Sequence, residues 1–247
     1  MHFVFDLDGT LCFDGKTIDT SIVTALHTLV HDGHDITFAS ARPIRDLVPA
    51  LPESFRNGRL VGGNGCFTQQ DGIITANIFT PALLTELQNI IRKHNLTYLA
   101  DGEWDYAYTG NIEHPIYKNI DQTSAKNVPL SSLQKVCKLV LFSPNEDVLA
   151  TLNTLPVNIT TYKTENAIDI SPLGINKVHG LHQLGIYDFI AFGNDSNDQC
   201  LFEHALFSVC VGEHDVKQYA SKVITRDNVG EVICEVSKRF KESMLVR

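Results

Sequence analysis

Residues 2–10 read HFVFDLDGT, and this stretch decides how the rest of the chain is interpreted. The short apolar run at residues 2–5 predicts a buried strand, and the acidic residues Asp6 and Asp8 follow where that strand ends. Two carboxylates one residue apart are costly to bury unless a cation lies between them. Since ligands of open α/β sheets bind beyond the carboxyl ends of the strands, the motif predicts a site for a metal and a phosphate group. The alternative is a strand that runs into a solvated turn.

The composition is that of an ordinary globular protein. The chain has 247 residues, of which 43% are hydrophobic and 20% are charged, which is enough for one large domain or two modest ones. No stretch approaches the roughly 20 apolar residues of a membrane-spanning helix, and no basic segment or cleavage site precedes the first strand. We therefore expect a cytoplasmic protein with no signal peptide and no membrane partner. Nothing in the sequence indicates an oligomeric state.

Charge and cysteine usage restrict the partners further. The net charge of −9 and the lack of a basic stripe argue against nucleic acid. A small phosphorylated substrate remains compatible, because one divalent cation and a few basic side chains set the local field of a cleft. The cysteines are scattered without a C-x-x-C pair, which predicts reduced core residues. They are Cys12, Cys66, Cys137, Cys200, Cys210 and Cys234.

Apolar runs alternate with helical patterns over residues 1–79 and 173–247. Strands are predicted near 2–5, 36–39, 59–62, 189–192 and 206–211, and helices near 19–32, 43–51, 177–184 and 229–240. A hairpin is predicted around Asp71-Gly72. The alternation predicts an α/β fold whose core is a doubly wound, Rossmann-like parallel sheet with helices on both faces.

The regular alternation of strand and helix patterns is interrupted between residues 80 and 172. A helix is expected from Thr80-Pro81, irregular aromatic segments follow it, and a helix is predicted near 145–154. Strands are predicted near 138–142, 157–162 and 166–170. We interpret residues 80–172 as an α+β domain inserted into the first one. Its aromatic stretch 104–108 is a candidate specificity surface, although a role in the core of the insertion is favoured.

Four groups at strand ends or helix starts carry the candidate chemistry. Besides the two aspartates, they are Ser40, Lys177 and the polar run 194–198, which reads NDSND. Carboxylate and amide oxygens form a hard ligand set that suits Mg²⁺. Ser40 offers a hydroxyl, and Lys177 offers a compact positive charge for phosphoryl oxygens. Each has an ordinary alternative, such as a strand-end hydrogen bond, a solvated helix residue or a capped turn, but four coincidences in this order favour a site.

These motifs resemble those of the haloacid dehalogenase-like superfamily of phosphatases, specifically the Cof-type branch with a type IIB cap inserted between the second and third motifs. Residues 6–10 match its first motif, and Ser-Ala-Arg at 40–42 stands where that branch usually has Thr-Gly-Arg. The Gly-Asn-Gly turn at 63–65 resembles its turn before the cap. Residues 176–177 resemble the start of its lysine-bearing helix, and residues 192–198 resemble its fourth motif.

The resemblance implies Mg²⁺-dependent hydrolysis of small phosphorylated metabolites, such as sugar phosphates or phosphorylated cofactors, through an aspartyl-phosphate. In this mechanism Asp6 attacks phosphorus, and Asp8 acts first as general acid and then as general base. Ser40 and Lys177 hold the phosphoryl oxygens as charge develops, and Lys177 also orients Asp6. The implied substrate contacts are Gly9, Thr10, Ala41, Arg42, Asn64 and Asn197. The implied metal ligands are Asp6, Asp8 and residues among Asn194, Asp195 and Asp198.

Two departures from the family pattern bear on this assignment. The fourth motif usually begins Gly-Asp, whereas Asn194 follows Gly193 here. An Asn carbonyl can bind Mg²⁺ but supplies no charge, so which residue of the run contacts the metal stays open. Ala41 replaces the usual glycine and stiffens the loop after Ser40.

Two other functions are compatible with the sequence. In a phosphomutase or phosphotransferase of the same superfamily, a sugar hydroxyl would replace water, and Asn194 is compatible with a non-catalytic protein that binds a phosphometabolite. Hydrolytic dehalogenases and P-type ATPases of the superfamily lack an acid at the position of Asp8. This acid therefore favours a phosphatase or a phosphomutase. By the same resemblance, the inserted domain would act as a cap that selects the substrate.

Overall fold

The computed structural model describes residues 1–162 and 166–245, and the chain divides into two compact units. The first unit comprises Met1–Ile74 and Lys177–Arg247, and the second comprises Thr75–Asn176. The described residues form thirteen strands and eight helices, apart from short 3₁₀ turns. The strands are β1 (His2–Phe5), β2 (Asp35–Ala39), β3 (Arg59–Gly62), β4 (Phe67–Gln70), β5 (Ile73–Ala76), β6 (Thr97–Asp101), β7 (Tyr106–Tyr108), β8 (Lys138–Phe142), β9 (Val157–Tyr162), β10 (Ala167–Pro172), β11 (Phe189–Gly193), β12 (Phe207–Val211) and β13 (Lys222–Ile224). The helices are α1 (Thr20–His31), α2 (Ile44–Leu47), α3 (Pro81–His94), α4 (Pro115–Lys118), α5 (Glu146–Leu152), α6 (Lys177–Gln183), α7 (Gln199–His204) and α8 (Val229–Leu245).

The sheet of the first unit has eight strands in the order β13-β12-β11-β1-β2-β3-β4-β5. The pairings from β13 to β3 are parallel, whereas β4 pairs antiparallel with β3. From β1 the chain proceeds to β2 and β3 on one side, and it later continues through β11 to β13 on the other side. The carboxyl ends of β1 and β11 therefore lie at the topological switch point, which is where α/β proteins bind their ligands.

Helices cover both faces of this sheet. Val4 of β1 lies in a buried cluster with Leu181 of α6. Phe38 of β2 pairs with the residue after Val4, so its side chain points to the other face. There Phe38 packs edge-to-face on Phe55, whose ring stacks on His27 of α1. The predicted doubly wound α/β core is confirmed.

The second unit is an antiparallel sheet in the order β7-β6-β8-β10-β9, with α3 and α5 packed on one face and α4 on the other. Leu87 of α3 and Val148 of α5 share one buried cluster with Leu139 of β8. The helix α3 begins at the predicted residue, because the Oγ1 of Thr80 accepts a hydrogen bond from the backbone N–H of Leu83 at 3.3 Å. The insertion is therefore an α+β unit.

The second unit reaches beyond residues 80–172 at both ends, because the flanking residues bond within it. The backbone N–H of Phe79 donates to the carbonyl of Val136 at 2.9 Å, and the Phe79 side chain is buried in the core of this unit. At the other end, the side-chain amide of Asn158 donates to the carbonyl of Ile175 at 2.6 Å. The observed boundaries consequently lie a few residues outside the predicted ones.

Short elements account for the other differences. Asp71 and Gly72 form the predicted two-residue turn between β4 and β5, and both have a positive φ, as a type I′ hairpin requires. The structure has β6 and β7 where the sequence predicts irregular aromatic segments, and it adds β13. β7 and β13 have three residues each, and β6 (TYLAD) is polar at both ends, so none of them contains a long apolar run.

No helix in the described part of the chain combines the length and the apolar character needed to cross a membrane. All six cysteines are free thiols. Burial raises the pKa of Cys137 to about 12 and the pKa of Cys210 to about 11, which disfavours the reactive thiolate form of both.

Candidate active site

Asp6 directly follows β1 and lies at the switch point of the sheet. Its backbone N–H donates to the carbonyl of Phe192 in β11 at 2.8 Å, so the two strand ends are tied together. The residue is 4% exposed. Its Oδ1 lies 2.6 Å from the Nζ of Lys177, and its Oδ2 accepts a hydrogen bond from the Oγ1 of Thr10 at 3.0 Å. The carboxylate is thus held in one orientation.

Lys177 is the first residue of α6, and its buried ammonium joins two carboxylates. Its Nζ lies 2.6 Å from Asp6 Oδ1 and 2.6 Å from Asp198 Oδ1. Burial and Asp198 raise the pKa of Asp6 to about 7, against the opposing effect of Lys177. Burial alone would lower the pKa of Lys177, but the two carboxylates raise it above its ordinary value. The cluster has two acids for one cation, so a further positive charge would balance it.

The loop after β11 is organised around Asp198, whose two carboxylate oxygens are both engaged. Oδ1 contacts Lys177, and Oδ2 accepts hydrogen bonds from the backbone N–H groups of Asn194 at 2.8 Å and Asp195 at 3.1 Å. The carboxylate of Asp195 accepts a hydrogen bond from the backbone N–H of Ser196 at 2.6 Å. Asp195 and Asp198 also form a capping box, in which the side chain of each accepts a hydrogen bond from the backbone N–H of the other. Of the predicted ligands in this run, Asp195 and Asp198 therefore use their side chains for loop contacts.

The third predicted ligand, Asn194, turns its amide toward Asp6 and the loop after β1. One end of the amide lies 2.9 Å from the backbone carbonyl oxygen of Asp8, 3.1 Å from Thr10 Oγ1 and 3.2 Å from Asp6 Oδ2. Gly9 makes this approach possible, because its φ is +78° and a Cβ there would lie 2.2 Å from the other end of the Asn194 amide. A side chain at position 9 would displace the amide.

This donor set fits Mg²⁺. Mg²⁺ binds oxygen ligands at about 2.0–2.1 Å in octahedral geometry, so adjacent ligand oxygens lie about 3 Å apart. The spacings around Asn194 match that edge length. The set combines the carboxylate of Asp6, the backbone carbonyl of Asp8 and the amide of Asn194. Among the described residues no three His, Cys, Asp or Glu side chains group as ligands, so amide and carbonyl oxygens are essential to such a site.

The side chain of Asp8 is half exposed and is bound by Arg42. Two hydrogen bonds join them, from Arg42 Nε to Asp8 Oδ2 at 2.8 Å and from Arg42 Nη2 to Asp8 Oδ1 at 2.5 Å. The same Nη2 donates to the backbone carbonyl of Gly15 at 2.8 Å. The sequence predicts Arg42 as a substrate contact, and the structure shows that its guanidinium holds an acidic side chain of the chain itself. The two residues are 34 positions apart in the sequence, so no local pattern predicts this pair.

The remaining predicted residues connect the loops at the same edge of the sheet. Ser40 is buried, and its Oγ accepts a hydrogen bond from the backbone N–H of Arg42 at 3.1 Å, with Ala41 between them. Asn64 has a φ of 55°, and its backbone N–H donates to the carbonyl of Ser40 at 3.0 Å. The amide nitrogen of Asn197 donates to Asn64 Oδ1 at 3.0 Å. The loops after β2, β3 and β11 are therefore linked.

Within the aromatic stretch 104–108, the two tyrosines belong to the core of the second unit, which is the role that the sequence favours. Tyr106 and Tyr108 are buried in a cluster of that unit. Trp104 is partly exposed, and its indole N–H donates to the carbonyl of Ser124 at 3.0 Å. These aromatic side chains thus stabilise the unit in which they lie.

Comparison with known proteins identifies a family and several related phosphatases. A family model described as haloacid dehalogenase-like hydrolase matches residues 3–236. The 5-amino-6-(5-phospho-D-ribitylamino)uracil phosphatase YitU of Bacillus subtilis is 27% identical over 260 aligned residues, which cover 95% of each chain. The HMP-PP phosphatase of Yersinia enterocolitica is 26% identical over 220 residues, which cover 79% of this chain and 77% of that protein.

Solved structures share the fold. The HAD subclass IIB sugar phosphatase BT4131 superposes with a TM-score of 0.80 at 21% identity, covering 97% of this chain and 98% of that chain. A haloacid dehalogenase-like hydrolase from B. subtilis also has a TM-score of 0.80, at 15% identity, covering 94% of this chain and 98% of that chain. At these identities the likeness establishes the architecture.

Proposed function

The chain belongs to the haloacid dehalogenase-like hydrolases and is a phosphoric monoester hydrolase, as its sequence predicts, and we propose that it hydrolyses small phosphorylated metabolites with Mg²⁺ through an aspartyl-phosphate. The observation that carries the proposal is the buried cluster of Asp6, Lys177 and Asp198 beside the exposed Asp8. A fixed carboxylate suits a nucleophile, and an accessible carboxyl group suits proton transfer.

In the first step an oxygen of Asp6 attacks phosphorus, and the bond from phosphorus to the leaving oxygen breaks. Lys177 and Thr10 hold the attacking carboxylate, so little reorganisation is needed. Asp8 donates a proton to the leaving oxygen, which departs as an alcohol. The phosphoryl group is then bonded to Asp6 as an acyl phosphate.

In the second step water attacks the same phosphorus atom, and Asp8, now ionised, accepts its proton. The bond between Asp6 and phosphorus breaks, inorganic phosphate leaves, and the Asp6 carboxylate and the Asp8 acid are restored. We assign the buried hydroxyl of Ser40 to the phosphoryl oxygens, because it lies at the end of β2 on the same edge of the sheet.

The residues that would hold Mg²⁺ are Asp6, the backbone carbonyl of Asp8 and Asn194. When bound, the metal supplies positive charge that offsets the repulsion between the carboxylate and the phosphoryl oxygens. Asp198 serves as a positioning residue for Lys177 and for the loop, since both of its oxygens are engaged. Asp195 shapes the same loop.

We further propose that the second unit selects the leaving group and that the protein works in the cytoplasm. The two relatives are named as phosphatases of 5-amino-6-(5-phospho-D-ribitylamino)uracil and of HMP-PP. A substrate panel for this chain should therefore include phosphorylated sugars, sugar alcohols, pyrimidine derivatives and phosphorylated cofactors.

The test is phosphate release from this panel with Mg²⁺ and with a chelator, in the wild type and in Asp6→Asn. We expect chelator-sensitive release by the wild type and loss of turnover in Asp6→Asn, with intact-mass detection of one added phosphoryl group in quenched wild-type protein. Asp188→Asn, an exposed acid-to-amide change in the first unit, is the matched control and should remain active. Full activity of Asp6→Asn would refute the nucleophile assignment, and chelator-resistant turnover would refute the metal requirement.

A further inference from the structure

The amide of Asn194 can present either of its two ends to the same group of oxygen atoms. The end that faces these atoms, called the inward end below, lies 2.9 Å from the Asp8 carbonyl oxygen, 3.2 Å from Asp6 Oδ2 and 3.1 Å from Thr10 Oγ1. A rotation of the terminal amide by 180° exchanges its oxygen and nitrogen without moving the rest of the side chain. The two orientations differ in which atoms have a hydrogen to share.

Counting hydrogens shows which orientation suits a site without a cation. With the oxygen inward, the single hydroxyl hydrogen of Thr10 serves either Asp6 Oδ2 at 3.0 Å or Asn194 Oδ1 at 3.1 Å, and the Asp8 carbonyl faces another acceptor. With the nitrogen inward, the amide donates two hydrogens to these oxygens, and the Thr10 hydrogen remains with Asp6. Facing acceptors in a partly buried place are costly, so the hydrogen count favours the orientation with the nitrogen inward when no cation is present.

A cation reverses this preference. Mg²⁺ requires oxygen ligands, and the inward oxygen of Asn194 then joins Asp6 and the Asp8 carbonyl as a third ligand. We propose that Asn194 is a two-state residue whose amide nitrogen takes over the role of the cation in the metal-free protein and whose oxygen turns inward when Mg²⁺ binds. This inference rests on the proposed Mg²⁺ dependence.

This two-state role gives a function to an asparagine at a position where the family usually has aspartate. A carboxylate has the same shape but no hydrogen to donate, so in the metal-free state it would face Asp6 and the Asp8 carbonyl with repulsion alone. It would add one negative charge to the metal ligands and bind Mg²⁺ more tightly. Compared with aspartate, asparagine binds the metal more weakly, but it satisfies the hydrogen bonds of the polar groups in the metal-free site.

The experiment compares the wild type with Asn194→Asp by thermal unfolding and by calorimetric titration with MgCl₂, without an activity readout. We expect Asn194→Asp to unfold several degrees below the wild type in chelator, to gain more stability from Mg²⁺, and to bind Mg²⁺ about tenfold more tightly. Ser196→Asp adds the same charge to an exposed residue of the same loop and should follow the wild type.

A second measurement needs no folded variant. In ¹⁵N-labelled wild type, the side-chain NH₂ signals of Asn194 should show hydrogen-bonded shifts in chelator and should move on addition of Mg²⁺, while those of Asn197 change less. Equal chelator stability and equal Mg²⁺ affinity of wild type and Asn194→Asp, or NH₂ signals of Asn194 that ignore Mg²⁺, would overturn the two-state role. If neither protein binds Mg²⁺, the proposed metal dependence fails, and the inference fails with it.

Discussion

Arg42 binds both carboxylate oxygens of Asp8, at 2.8 Å through Nε and at 2.5 Å through Nη2. The fork of a guanidinium fixes the plane of the carboxylate it contacts, which a single ammonium does not do. Its further bond to the carbonyl of Gly15 anchors the guanidinium to the loop after β1. This geometry supports a positioning role for Arg42 toward the residue that we assign to proton transfer.

We predict that Arg42→Ala slows the protonation of the leaving group. Turnover of alkyl phosphates should fall by about 100-fold, the contribution of a well-placed general acid. An aryl phosphate should still give a full first-turnover burst of phenol, because a phenolate leaves without protonation. Rapid-mixing kinetics with both substrates measure this difference, and Arg42→Lys should recover part of the loss. Equal losses with both leaving groups would instead indicate general damage to the site.

We predict that Lys177→Met destabilises the protein and abolishes turnover. The substitution leaves Asp6 and Asp198 buried without their shared cation, which costs about 3–5 kcal/mol of unfolding free energy. Urea unfolding measures this change. Lys217→Met, which removes an exposed pair with Glu213, is the matched control and should unfold like the wild type. Similar unfolding curves for both variants would show that the buried cluster contributes little.

We predict that Gly9→Ala weakens Mg²⁺ binding in addition to straining the backbone. Gly9 has a φ of +78°, and an added Cβ would lie 2.2 Å from the Asn194 amide. Gly33→Ala isolates the backbone effect, because Gly33 has a φ of +83° and no atom lies within 4 Å of its added Cβ. Both variants should lose about 1–2 kcal/mol of stability. Titration with MgCl₂ should show weaker binding in Gly9→Ala alone, and unchanged binding there would contradict the packing argument.

We predict that the stabilising contribution of His2 declines between pH 7 and pH 5, in opposition to Asp6, whose raised pKa favours the folded state as the pH falls. Burial lowers the pKa of His2 to about 4 from its ordinary 6.5, and a ring nitrogen forms a 2.7 Å hydrogen bond with Thr37 Oγ1. The folded state therefore favours the neutral ring. The contribution of His2 to the free energy of unfolding is complete above pH 6.5 and declines as the pH falls. At pH 5 it is smaller by about 2 kcal/mol.

Urea unfolding of wild type and His2→Gln at a series of pH values measures this contribution. The difference in unfolding free energy between the two proteins should change across this pH range, because glutamine does not titrate. Parallel pH profiles would show that His2 is not the group responsible. Burial also lowers the pKa of His34, which acts in the same direction and is present in both proteins.

Much of the fold follows from local patterns in the sequence. The apolar run at residues 2–5, the turn at Asp71-Gly72 and the cap at Thr80 each report the burial or backbone geometry of neighbouring residues. Such signals depend on a few adjacent side chains, so they locate β1, the hairpin and α3 without knowledge of the tertiary structure. The strands β7 and β13, with three residues each, are too short to carry them.

The sequence by itself determined the doubly wound core, the inserted unit and the motif of acids after β1, because these depend on periodicity and on spacing within single elements. Tertiary structure alone decided that Lys177 also binds Asp198 and that Arg42 holds Asp8. Those contacts depend on the order of strands in the sheet and on how the loops at its carboxyl edge converge, and no local pattern of residues encodes that convergence.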